Sequence, residues 1–101
     1  MSKHMVITSS ENKDKVEQLI KEDLITYCDN VIEMVKEESN HEMIINMSQL
    51  ILTDLKSVDL IEVANFLTRI IDSVNGKDLS KATTELVLCK NFVGEIEVLY
   101  T

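Results

Sequence analysis

From Val16 onward, apolar side chains return at the spacing of one helix face. Val16, Leu19, Ile20, Leu24, Cys28, Val31, Ile32 and Val35 follow it, which predicts a first helix from about residue 10 to 37. Thr8 with Glu11, or Ser10 with Asp14, supply residues suited to its N-terminus. Ser39 and Glu42 have capping-box spacing, so a second helix is expected from about 40 to 56. Its apolar face carries Ile44, Met47, Ile51 and Leu55. Ser57 and the acidic Asp59 mark the start of a third helix. Leu60, Val63, Ala64, Leu67, Ile70, Ile71 and Val74 form the clearest amphipathic stripe in the chain. Asn75 and Gly76 end it, the glycine being suited to a left-handed cap.

Asp78 can cap a fourth segment, in which Leu79, Ala82, Leu86, Cys89, Val93, Ile96 and Tyr100 recur in steps of three and four. That seam crosses Gly94 without a phase slip and favours helix to about residue 99. The competing reading makes "EIEVLY" a strand. Apart from the short "MVIT", no upstream segment alternates well enough to pair with it, so such a strand would be completed by another chain. On a wheel of about 100° per residue, Leu88, Phe92 and Leu99 add a second apolar strip beside the seam. Either this helix is central in the bundle or the strip is covered by a second copy or a partner.

Few breakers interrupt these stripes: proline is absent and glycine occurs twice, at Gly76 and Gly94. With 101 residues and no linker or repeat, the expected fold class is all-α, an antiparallel four-helix bundle. The alternative is three helices plus a C-terminal strand completed by another chain. Residues 1–8 show no periodicity and are expected to be a mobile leader, with residues 9–101 forming a single helical domain.

Charge and candidate chemistry narrow the function classes. Eighteen acidic against ten basic side chains give a net charge of −8, which opposes attraction to nucleic-acid phosphates and anionic membranes. No run of eighteen uncharged apolar residues is present, so no membrane span is expected. The first residues lack the pattern of a secretory signal, which favours a cytoplasmic location. Richness in Ile, Lys, Asn and Glu suits an AT-rich bacterial or phage genome. Cys28 and Cys89 lack the spacing of a zinc site and are expected as buried thiols. His4 falls in the leader and His41 at a helix start, so neither is placed to serve a nucleophile. Glu38 and His41 have Glu-x-x-His spacing but straddle a predicted turn, which argues against a di-metal bundle.

Asp29, Glu33 and Glu37, with Glu22 and Asp23 upstream, line one flank of the first helix. That stripe is either a solvated face or an electronegative docking face that mimics nucleic acid, although Lys21 and Lys36 interrupt it. Met34, Met43 and Met47 cluster near the first turn and read as core filler. The expected protein is therefore non-enzymatic and binds no cofactor or metal. It is expected to bind and modulate another protein as an inhibitor or regulator, and to form a homodimer through Leu88, Phe92 and Leu99. The alternatives are the nucleic-acid mimic and a small carboxylate-using enzyme or ligand-binding bundle.

Overall fold

The computed structural model describes residues 4–37 and 40–101. In chain order the elements are β1 (His4–Thr8), a 3-10 turn (Ser10–Asn12), α1 (Lys13–Gln18), a π turn (Leu19–Asp23), α2 (Leu24–Lys36), α3 (His41–Ser57), α4 (Ile61–Asn75), α5 (Leu79–Glu95) and β2 (Ile96–Tyr100). The class is an all-α helical bundle carrying one small sheet.

α1, the π turn and α2 run end to end as one helix. Leu19 and Leu24 are five residues apart, about 140° out of line at 100° per residue, yet both are buried. The amide of Leu24 donates to the carbonyl of Leu19. This wider turn takes up one extra residue and returns both leucines to the core.

α4 supplies the broadest buried face, with Val63, Ala64, Leu67, Ile70, Ile71, Ser73 and Val74, and packs against α3 on one side and α5 on the other. α5 in turn packs between α4 and α2, burying Ala82, Leu86, Cys89 and Val93. Short turns make these consecutive helices antiparallel neighbours.

Both of those turns close through a left-handed residue that is not glycine. After α3, Leu60 N donates to Leu55 O and Asp59 N to Lys56 O, with Asp59 at φ 60. After α4, Asp78 N donates to Ser73 O and Lys77 N to Val74 O, with Lys77 at φ 59. These are Schellman closures. Gly76, expected to hold the left-handed position, has φ −80; the closure falls one residue later. Asp59 likewise ends α3 instead of opening α4, and Ser57, expected as a cap, is the last residue of α3. The remaining caps are Ser9, accepting from Glu11 N, Asn40, accepting from Glu42 N, and Asp78, accepting from Lys81 N. The expected Ser39 cap lies outside the described residues.

The larger correction is at the chain ends. The fourth helix stops at Glu95, and residues 96–100 form β2, not a helix to residue 99. Its partner is the segment expected as a leader: β1 pairs with β2 in parallel, from His4 with Ile96 to Thr8 with Tyr100. An even number of antiparallel helices returns the chain to the end where it began, so the ladder closes within one chain and needs no second copy. Thr8 Oγ1 donates to Val58 O at 2.8 Å and Val6 enters the core, which fastens β1 to the turn between α3 and α4. The step of three and four carried through Gly94 because Ile96, Val98 and Tyr100 also face the bundle as alternate residues of a strand.

Left-handed backbone strains a side chain with a Cβ, and glycine relieves that strain. Asp59→Gly and Lys77→Gly are each expected to stabilise the fold by up to about 1 kcal/mol, or several degrees in Tm. A lower Tm in both variants would contradict this account of the turns.

Candidate functional site

α2 packs mainly on α5 and touches α3 only lightly, so the bundle is open between α2 and α3. The resulting groove has a volume of about 380 Å³. Its apolar floor is Tyr27 from α2 with Met47, Leu50 and Ile51 from α3, and Glu22 and Asp23 stand at its rim. Leu50 is 71% exposed, and Met43, one turn beyond Met47 on the same helix, is 55% exposed. Met47, expected as core filler, is only half-buried and lines the groove.

The rim carboxylates owe their position to the π turn. Gln18 Nε2 donates to Glu22 Oε2 at 2.7 Å and to Asp23 Oδ1 at 3.2 Å, which holds both acids on the groove side of the widened turn. Neither forms an ion pair among the described residues.

One polar tie crosses the groove floor. Ser48 Oγ donates to Ile44 O at 2.8 Å, so its proton is committed and the Tyr27 hydroxyl is the donor in the 2.5 Å contact between the two side chains. Ser48 is buried with Ile44 and Leu55 of the expected face, while Met47 and Ile51 of that face are only half-buried. The sequence had no signal for this pair, because the partner that meets the Ser48 hydroxyl lies 21 residues away on another helix. Burial pushes the Tyr27 phenol well above the ordinary tyrosine range, and the hydrogen bond to Ser48 opposes that rise only in part.

The residues singled out from the sequence fall in separate places. Phe92 packs on Phe66 of α4 with ring centroids 5.4 Å apart. Arg69 lies over the Phe66 ring and donates to Glu85 Oε2 at 3.0 Å. Of the second strip, Phe92 is thus covered from inside the chain, by α4. Leu88 is 48% exposed on α5, and Leu99 is not on that helix but on the outer face of β2. The three do not form one face.

Asp29, Glu33 and Glu37 are exposed on α2. Lys90 of α5 donates to Asp29 Oδ1 at 2.6 Å, and that partner raises the lysine's own pKa. Lys36 pairs with Glu33 at 3.6 Å, and Glu37 forms the end of α2. Two of the three carboxylates therefore have a cation beside them, and none lines the groove.

Cys28 and Cys89 are both free and buried where α2 meets α5. A hydrogen bond between them favours the Cys28 thiolate and, with burial, drives the Cys89 thiol far above the usual range. His41 opens α3, and Glu38 lies outside the described residues. Among the described residues no three His, Cys, Asp or Glu side chains are grouped to hold a metal ion. No helix there is long and apolar enough to cross a membrane. No protein-family model, no curated protein and no solved structure matches the chain.

In the unfolded chain the Tyr27 phenol ionises near pH 10, while in the fold it keeps its proton to higher pH. Its contribution to stability is complete below about pH 10 and is lost as pH rises through the folded value. Tyr27→Phe is expected to cost about 1 kcal/mol at neutral pH and to flatten the fall in stability across the alkaline range. An equal fall in stability with pH for the two proteins, read from denaturant titrations at each pH, would refute the burial of the phenol.

Proposed function

We propose that the chain is a non-enzymatic binding protein that captures a partner protein in the groove between α2 and α3. The observation that carries this reading is the pairing of an apolar groove, in which Leu50 is exposed and Met47 and Ile51 are half-buried, with an acidic rim whose carboxylates form no ion pair among the described residues. A basic amphipathic helix matches both: its apolar anchors at helical spacing would cover Leu50, Met47 and Tyr27, and its lysines or arginines would meet Glu22 and Asp23. Unbranched methionine adapts to differently shaped anchors, which suits Met43 and Met47 at such a surface. The net charge of −8 would draw a basic segment in and repel acidic ones. Modulation of the partner follows if the captured helix is needed elsewhere, as for an inhibitor or regulatory factor.

The alternative of nucleic-acid mimicry has less support, since Lys90 and Lys36 interrupt the acidic face it would use.

A synthetic amphipathic helix of leucine and lysine, titrated into isotope-labelled protein, serves as the probe. Shifts are expected at the amides of Thr26, Asn30, Met47 and Leu50, weakening as salt rises. Leu50→Glu, at an exposed site, should abolish them while leaving the helical signal intact. Shifts that spread evenly over the surface, or that survive Leu50→Glu, would defeat the proposal.

A further inference from the structure

A parallel ladder uses the backbone groups of every second residue, and the remaining ones point to the opposite edge. Thr101 N donates to Thr8 O, and Thr101 O accepts from Ser10 N. By that alternation Thr8, Val6 and His4 turn their amides and carbonyls toward β2. Those of Met5 and Ile7 point away from it. Among the described residues, no hydrogen bond outside the ladder takes the backbone groups of Met5 or Ile7. Their side chains are open as well: Met5 is 56% and Ile7 64% exposed on the outer face, beside Glu97 and Leu99.

Two strands alone make a marginal sheet, and parallel pairs are ordinarily covered. Natural edge strands are protected by lysine, proline, bulges or inward charges. The run "HMVIT" has no lysine, proline or carboxylate. β2 differs: it carries Glu97, and Glu95 ends the helix that leads into it. Its edge-facing backbone belongs to Ile96, Val98 and Tyr100, whose side chains border a cavity shared with Glu17 and Lys21.

We infer that β1 pairs with β1 of a second copy, antiparallel, about a two-fold axis through Val6. In that register Met5 faces Ile7 of the other copy, and each of these pairs exchanges two backbone hydrogen bonds. Four amides and four carbonyls that have no partner among the described residues are satisfied at once, because the outward residues are symmetric about Val6. The Met5–Ile7 contacts form cross-strand apolar pairs on the outer face, next to Leu99. The product is a four-stranded sheet in the order β2, β1, β1, β2, which meets the strand number that two strands alone lack. A second copy suits this edge because it brings a neutral strand of identical spacing. The strand direction follows from the closed two-fold symmetry of such a pair.

Charge separates this association from capture in the groove. Each copy carries −8, so added salt screens the repulsion and strengthens the dimer, whereas it weakens binding of a basic helix.

Sedimentation across ~10 µM to ~1 mM, the range for a small interface, should show the mass rising from 11.5 kDa toward twice that value. Met5→Lys and Ile7→Lys are expected to raise the dissociation constant at least ~10-fold, as edge lysines do, with helical content unchanged. Leu88→Gln and Leu50→Glu should remain dimeric. If the lysine variants lose helix, the wild type decides: exchange of the Met5 and Ile7 amides must slow as concentration rises, with Val98 unaffected. A wild type that stays monomeric throughout, a dimer that survives both lysine substitutions with the helices intact, or slowing at Val98 in place of Met5 and Ile7 would each overturn the inference.

Discussion

The buried stripe of α4 is the constraint on which the other elements depend. Seven of its residues are buried, and at about 25 cal/mol per Å² of apolar surface such a face outweighs any single polar contact in the bundle. It faces α3 and α5 at once, which places α4 in the middle of the helical layer. α5 inherits the next position and must satisfy two neighbours of its own, α4 through Phe66 and Phe92, and α2 around Cys28 and Cys89. The unusually wide apolar arc of α5 has this cause. Its width reflects two internal neighbours, and only Leu88 of the second strip is left at the surface of that helix.

α2 and α3 are then the outer members of the series, and nothing requires them to close on each other. Their link at the floor is a hydrogen-bond relay, Tyr27 to Ser48 to Ile44. A relay of this kind fixes the distance between two helices without filling the space above it. Over the same stretch the π turn widens the long helix and turns Glu22 and Asp23 to the groove, with Gln18 bridging them. The opening therefore has a defined floor and a charged rim, both consequences of where the core leucines Leu19 and Leu24 must go.

At the chain ends a different interaction governs. β1 and β2 are 92 positions apart in their pairing, His4 with Ile96, and neither strand could persist alone. Thr8 on Val58 O and Val6 in the core hold β1 against the bundle, and β2 follows directly from α5 without a loop. The inner face of the pair is spent on the bundle, while β1 keeps an apolar, uncharged outer face at Met5 and Ile7, and Glu97 is confined to β2. The groove and the β1 edge are thus chemically distinct, one rimmed by carboxylates, the other built on a strand without lysine or carboxylate.

The number of helices, their approximate limits and most of their buried faces were legible in the sequence. Periodicity is a local property: Val63, Leu67, Ile70 and Val74 mark a helix wherever it packs. Even the π turn left a trace, in the five-residue step from Leu19 to Leu24. Pairings between distant segments left none. A strand at residues 96–100 with alternate residues facing inward satisfies the same spacing as a helical seam, and only the arrival of residues 4–8 beside it decides between them. Ser48 as a core residue, Lys77 in place of Gly76 at the turn, and the groove between α2 and α3 share that reason. Each depends on what lies opposite in space, and the sequence states only what lies adjacent along the chain.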